Sequence, residues 1–153
     1  MKSALQLSII ITVFSILFSS CASTSKSTVE KDQAAKEFKN STEKGSVYLY
    51  RTGRAVGAAA QTQIKINGQD AGGTGPGTFF KWDLTPGTYA FSCNTSESSA
   101  AVEVDVKAGE LYYIRQDNRL GLNDGRVTLK VVDDKKGQKE IQDCKLLVST
   151  YQE

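Results

Sequence analysis

The chain contains no histidine among its 153 residues, and that absence excludes several classes of site. Catalytic Ser-His-Asp and Cys-His arrangements need an imidazole, and so do zinc sites with histidine ligands. Besides Cys21, only Cys93 and Cys144 are present, which are too few for a four-cysteine zinc site and do not form a Cys-x-x-Cys motif. The sequence therefore predicts a protein that is not an enzyme and holds no metal or cofactor.

A strong charge of either sign is also lacking. The 19 lysine and arginine residues nearly balance 17 aspartates and glutamates, which leaves a formal net charge of +2. Nucleic-acid binding needs a clustered basic face. No nucleic-acid partner is expected for this chain.

The one long apolar run is too short to cross a membrane as a helix. It extends from Leu5 to Phe18, about 14 residues, whereas a spanning helix needs about 20. Lys2 precedes this run and Ser19-Ser20 follows it, which is the pattern of a secretory signal. Residues 1–20 are therefore expected to be removed.

The end of this run, Phe18-Ser19-Ser20-Cys21, resembles the cleavage motif of bacterial lipoproteins. The resemblance implies cleavage before Cys21, thioether lipidation of its sulfur, and acylation of the new terminus with a chain such as palmitate. Several acyl chains would hold the protein at a membrane. Ala22-Ser23 resembles outer-membrane sorting more than inner-membrane retention, so the expected location is the bacterial cell envelope, with the domain facing the periplasm or the surface. An ordinary cleaved signal, with the cysteine as a bystander, is the alternative.

Residues 21–44 have the composition of a lipidated tether, rich in Ser, Thr, Lys and Glu. Within them, Glu30 to Lys39 favours a short helix, and Ser27 or Thr28 is available as its N-cap. We expect Phe38 on this helix to dock on the folded domain. A disordered stalk is the alternative.

From residue 45 to 153 the apolar period changes to two, which indicates β-strands. Asn67-Gly68 predicts a type I′ hairpin turn, because both central residues of that turn need positive φ. Gly72–Gly77 is interpreted as a loop and Asp133–Gly137 as a turn, and the tail from Gln138 as a short helix or strand. The expected strands are 46–52, 61–66, 78–84, 88–93, 102–106, 111–116 and 127–132.

Seven or eight short strands separated by turn signals predict one all-β domain, an antiparallel β-sandwich or a partly open barrel. Parallel strands need long crossover connections, which are usually helical. No long helical segment is available in this sequence, so a parallel sheet is not expected.

Six motifs follow one another in a fixed order along the chain. They are Val47-Tyr-Leu-Tyr-Arg51, Ile64-Lys-Ile-Asn-Gly68, Phe79 to Leu84, Pro86-Gly-Thr-Tyr89, Ala108-Gly-Glu-Leu-Tyr-Tyr-Ile-Arg115 and the closing Glu140-Ile141…Cys144. This ordered set resembles the DUF2846 family of small bacterial lipoproteins. The resemblance covers residues 45 to 148 and implies the fold and the location given above, but no activity and no catalytic residues.

Cys93 and Cys144 form an even pair once Cys21 is assigned to the lipid. In an oxidising compartment such as a Gram-negative periplasm two thiols usually pair, and closing a loop of about 50 residues would stabilise the fold by roughly 4 kcal/mol. We predict a structural disulfide. Two buried free thiols are the alternative.

Aromatic residues provide the one indication of binding chemistry. If Val47 and Leu49 face the core, the alternating tyrosines of that strand point outward, where they can stack on sugars or contact a protein. Cross-strand pairs that cover a sheet face are the alternative interpretation. The predicted binding surface comprises Tyr48, Tyr50, Arg51, Tyr112 and Arg115.

Two classes of function remain. The first is a non-enzymatic envelope lipoprotein that presents a surface to another envelope protein or to a cell-wall polymer, including as a carbohydrate-binding module. The second is a hydrolase or enzyme inhibitor with a pocket formed by loops 53–58, 72–78 and 117–125, since carboxylate pairs can catalyse without histidine. The first class is favoured.

Overall fold

The computed structural model describes residues 24–53, 61–119 and 125–153, and within them the chain forms nine strands and two short helices. The predicted all-β sandwich is confirmed. The helices are α1 (Val29–Ala35) and α2 (Asp134–Ile141). The strands are β1 (Gly45–Arg51), β2 (Thr62–Ile66), β3 (Gln69–Thr74), β4 (Thr78–Leu84), β5 (Gly87–Asn94), β6 (Ser99–Val106), β7 (Leu111–Arg119), β8 (Arg126–Val132) and β9 (Lys145–Leu146).

The strands make two sheets with orders β8-β7-β1-β4-β9 and β3-β2-β5-β6. Most pairings are antiparallel, as predicted, but β1 pairs with β7 and β4 pairs with β9 in parallel. Parallel neighbours are usually joined by a helical crossover. Between β1 and β7 the chain instead forms the strands of the second sheet, and these strands provide the crossover connection.

Alternate residues of β1 face two different layers. Val47 and Leu49 belong to the core between the sheets, whereas Tyr48 and Tyr50 belong to a second apolar cluster on the outer face of the first sheet. We call this second cluster the outer cluster. Its buried members are Ala35, Tyr48, Tyr50, Phe79, Tyr113, Ile141 and Cys144.

The glycine-rich stretch after β2 contains both a correct and an incorrect prediction. Asn67 and Gly68 have φ values of 50° and 84°, which confirms the positive backbone angles expected of the hairpin turn. Gly72, assigned to a loop from the sequence, instead lies in β3 with φ of 115°. A Cβ at this position would lie 2.9 Å from Phe80 Cζ, so the glycine lets β3 approach an aromatic ring of the core.

The N-terminal segment is part of the folded domain from Thr24 onward. The Ser27 amide donates to the Leu146 carbonyl and the Val148 amide donates to the Ser25 carbonyl, both at 2.8 Å. These bonds attach residues 24–28 to the free edge of β9.

Helix α1 follows, with Thr28, one of the two predicted candidates, as its N-cap, but it ends at Ala35 and not at Lys39 as predicted. Phe38 therefore lies beyond the helix, with φ of 49°, and it docks on the outer cluster as predicted, with its ring centroid 5.4 Å from that of Tyr48 and 6.0 Å from that of Tyr113. The disordered-stalk alternative does not apply to this described part of the segment. No helix in the described ranges is long and apolar enough to span a membrane.

The predicted turn at Asp133–Gly137 is wrong. Asp133 is the N-cap of α2, and its side chain accepts a 3.0 Å hydrogen bond from the Lys136 amide. Such a cap satisfies one of the free amides of the first helical turn. The helix then packs on β7, with Gly137 and Ile141 buried.

Candidate functional site

The predicted tyrosine surface is wrong, because the helices cover it, and the alternative of cross-strand aromatic pairs is confirmed: Tyr48 pairs with Tyr113 across β1 and β7, with ring centroids 5.3 Å apart. Tyr48, Tyr50 and Arg51 are all 0% exposed. The Tyr48 hydroxyl donates to the Ala35 carbonyl of α1 at 2.9 Å, and burial raises the pKa of Tyr48. Burial likewise lowers the pKa of the Arg51 guanidinium.

The two remaining members of that set face opposite sides of β7. Tyr112 is half-buried and packs against the core between the sheets, and its hydroxyl donates to Glu110 at 2.6 Å and accepts from the Lys107 amide at 3.0 Å. Arg115 contacts α2 on the outer side. The predicted residues therefore do not form one binding surface, although the register places Tyr50 beside Arg115.

A cavity of about 760 Å³ lies beside α2, between the end of β1 and the middle of β7. Thr52 and Gly53 line it where the chain leaves β1, and Arg115 lines it from β7. Helix α2 contributes a row of charged side chains, Lys135, Lys136, Lys139 and Glu140. This cavity is the candidate site.

A chain of ion pairs and hydrogen bonds forms one wall of the cavity. Glu140 Oε2 accepts from the Tyr50 hydroxyl at 2.6 Å, and Glu140 Oε1 accepts from Arg115 Nη1 at 2.9 Å. Arg115 Nε also donates to Asp117 Oδ1 at 2.8 Å. Both carboxylate oxygens of Glu140 and two donor groups of Arg115 are thus occupied within the protein.

The electrostatics of this wall follow from those contacts. Burial raises the pKa of Tyr50, and its hydrogen bond to the Glu140 carboxylate raises it further. Burial alone would lower the pKa of Arg115, but its bond to Asp117 and the charges of Asp117 and Glu140 raise it. The tyrosine therefore stays neutral and the arginine stays charged at neutral pH.

The charges at the cavity opening are mixed, since the exposed Lys135, Lys136 and Lys139 line it together with the exposed Asp133 and Asp143. Such lysines can contact carboxylate or phosphate groups of a partner as mobile point charges. Within the described ranges, no group of three or more cysteine, aspartate or glutamate residues could hold a metal ion.

Sequence reasoning missed α2 as the wall of this site. An available signal was Asp133 as N-cap, followed by buried positions four residues apart at Gly137 and Ile141. Of the three loops proposed as a pocket, residues 54–58 and 120–124 lie outside the described residues. The third loop, 72–78, does not line the cavity.

The predicted disulfide is also corrected. Cys93 and Cys144 are both free and buried. Cys93 lies in the core between the sheets, whereas Cys144 lies in the outer cluster, so the first sheet separates them. Burial raises the pKa of Cys93 to about 12 and that of Cys144 to about 11, which keeps both thiols protonated and unreactive at neutral pH.

Comparison with known proteins agrees with the order of motifs along the chain. A family model described as "Protein of unknown function (DUF2846)" matches residues 41–128, more than half of the chain. A protein of Haemophilus influenzae, described as "Uncharacterized protein", is 29% identical over 136 residues, which cover 88% of this chain and 80% of that protein. The family match includes β1 to β7 but ends before α2, and it establishes that the chain belongs to the DUF2846 family.

Proposed function

We propose that this protein is a bacterial envelope lipoprotein, anchored by lipid on Cys21, whose β-sandwich is a non-enzymatic interaction module. The observation that carries the proposal is the attachment of residues 24–28 to the edge of the first sheet through backbone hydrogen bonds. Only Ala22 and Ser23 stand between the lipidation motif and this attached segment. A chain that is lipidated there holds its domain beside the membrane.

The reach of that connection is short. Three Cα–Cα steps separate Cys21 from Thr24, and at 3.8 Å each they span at most about 11 Å. A lipidated Cys21 would therefore present the sandwich to partners within the envelope near the membrane surface. Another envelope protein and a cell-wall polymer are the two partner classes that fit this location.

The cavity beside α2 supports binding over catalysis. Glu140 has both oxygens engaged by Tyr50 and Arg115, so it is poorly placed to act as a general acid or base. The exposed lysines of the opening remain available for contact. The carbohydrate-binding alternative loses its main support because Tyr48 and Tyr50 are buried, and no observation on the described residues favours the hydrolase or inhibitor alternative.

The anchor is tested by metabolic labelling with an alkynyl fatty acid and by membrane fractionation of the full chain. Wild type and the neighbouring control Ser23→Ala should incorporate label and sediment with membranes. Cys21→Ala should lose the label and remain soluble or uncleaved. Full labelling and membrane retention of Cys21→Ala would contradict the proposal.

The interaction surface is tested in cells with a photo-crosslinking amino acid at single positions of the lipidated chain. A probe replacing Lys139, at the cavity opening, should form a discrete crosslinked species that mass spectrometry can identify. The control position is Lys107, which is exposed beside Gly45 at the opposite end of β1. Equal and diffuse crosslinking from both positions would contradict a specific partner at the cavity.

A further inference from the structure

Three large apolar side chains in the described part of the chain are conspicuously exposed: Val29 at 66%, Val148 at 51% and Val131 at 50%. Single exposed apolar residues are ordinary on protein surfaces. Two of these three, however, lie close to the point where the N-terminal segment joins the domain. Their position links them to the anchor.

Val148 and Val29 both lie close to β9. The Val148 amide donates to the Ser25 carbonyl at 2.8 Å, and Val29 begins α1, which is held to β9 by a 2.7 Å hydrogen bond from the Leu146 amide to Asp32 Oδ1. Both therefore lie along the β9 edge of the first sheet. Val131 lies in β8 at the opposite edge, four strand spacings away, or roughly 19 Å at ~4.8 Å per spacing.

The anchor reaches the domain at the β9 edge. Because the chain between Cys21 and Thr24 spans at most about 11 Å, acyl chains on Cys21 would bring this edge to the bilayer surface. Apolar side chains that meet the interface beside a lipid anchor add to its hold.

The charges around this edge are mixed. Lys26, Lys31 and Lys145 are exposed there, and so are Glu30 and Asp143. Asp32 in α1 is paired with Lys36 at 2.7 Å. The small excess of lysine favours an anionic surface only weakly, so contact with the membrane would depend mainly on the two valines and the short connection to Cys21.

We propose that the β9 edge, comprising Val29 and Val148 with Lys26 and Lys145 beside them, is the membrane-contact face of the lipidated protein. This inference rests on the proposed lipidation of Cys21. The occupant of the face is the lipid bilayer that holds the anchor. The β8 edge then faces away from the membrane.

The test places a nitroxide spin label at one valine position at a time in the full, lipidated chain. The variants are Val148→Cys, Val29→Cys and the matched control Val131→Cys, which starts from the same residue type at nearly the same exposure. The two native thiols are buried, and unsubstituted protein measures their background labelling. Proteins are reconstituted into vesicles of phosphatidylcholine and phosphatidylglycerol.

Collision rates with oxygen, which concentrates in lipid, and with a water-soluble nickel chelate report the depth of each label. The expected result is an oxygen-to-nickel ratio several-fold higher at positions 148 and 29 than at position 131. Equal ratios at all three positions, in protein that floats with the vesicles, overturn the membrane-contact face and leave the anchor intact. Failure of the unlabelled chain to acquire lipid and float overturns the proposed function itself.

Discussion

Substitution of Gly137 by alanine tests how α2 is held against the sheet. Gly137 is buried within α2, and a Cβ at this position would lie 2.6 Å from both Cβ and Cδ1 of Tyr113. Tyr113 is itself 0% exposed and stacks on Tyr48 with ring centroids 5.3 Å apart. The ring cannot move aside without disturbing the outer cluster, so the helix must shift outward.

Two opposing effects determine how much Gly137→Ala changes the free energy of unfolding. Alanine is favoured over glycine within a helix by ~0.8–1.0 kcal/mol, whereas overpacking of a well-packed site typically costs ~1–3 kcal/mol. An outward shift also stretches the 3.0 Å bond from Gln138 to the Tyr113 hydroxyl. We expect Gly137→Ala to lower the free energy of unfolding by about 1–2 kcal/mol.

The assay is equilibrium urea unfolding followed by tryptophan fluorescence. Trp82, the single tryptophan, is 6% exposed and packs against Phe80 and Phe91, so its emission reports loss of the core between the sheets. Gly75→Ala is the matched control, because a Cβ at Gly75 meets nothing within 4 Å. Its stability should change by no more than about 0.5 kcal/mol. Equal or greater stability of Gly137→Ala would refute the argument that contact with Tyr113 requires glycine.

Three further predictions address the ion pairs, the C-terminal tail and the thiols. Glu140→Ala should lower the free energy of unfolding by about 1–3 kcal/mol in the urea assay, because it leaves the buried Tyr50 hydroxyl without its acceptor and removes one partner of the half-buried Arg115. Lys135→Ala on the exposed side of α2 should change it by less than about 0.5 kcal/mol. Hydrogen bonds from the side chains of Thr85 and Tyr89 lower the pKa of Glu153 from 4.5 to about 2. This carboxylate therefore stabilises the fold above pH 4.5 and loses that effect as the pH falls towards 2. Solvent screening limits the contribution to about 1 kcal/mol, and urea titrations at several pH values should show it disappear in Glu153→Gln. Iodoacetamide should alkylate both Cys93 and Cys144 in denatured, unreduced protein and neither of them in the native state. If neither cysteine is alkylated after denaturation, the two are joined by a disulfide and the assignment of free thiols is wrong.

Seven of the nine strands were predictable because their signals are local, whereas the glycine-rich β3 and the two-residue β9 were missed. Val102, Val104 and Val106 alternate with charged residues and form β6, and Asn67-Gly68 specifies its turn through backbone angles that few other residues adopt. Thr28 as N-cap of α1 is equally local. Each of these features depends on residues close together in the chain, so sequence pattern was sufficient.

The candidate site could not be predicted in the same way. Alternation within β1 correctly separates Val47 and Leu49 from Tyr48 and Tyr50, but it does not reveal what covers the second face. Antiparallel sheets commonly leave one face in water, and the prediction assumed this. Here two short helices, one before β1 and one after β8, cover that face, and each is too short to give a strong periodic signal.

The sequence alone determined the positions of seven of the nine strands, the hairpin turn and membership of the DUF2846 family. Tertiary structure alone decided that the tyrosines are buried, that β1 pairs in parallel with β7, that Arg115 joins Glu140, and that the first sheet separates Cys93 from Cys144. The physical reason is distance along the chain. Period and turn chemistry act between neighbours, whereas the face that meets solvent is set by packing between segments up to about a hundred residues apart, which local patterns do not encode.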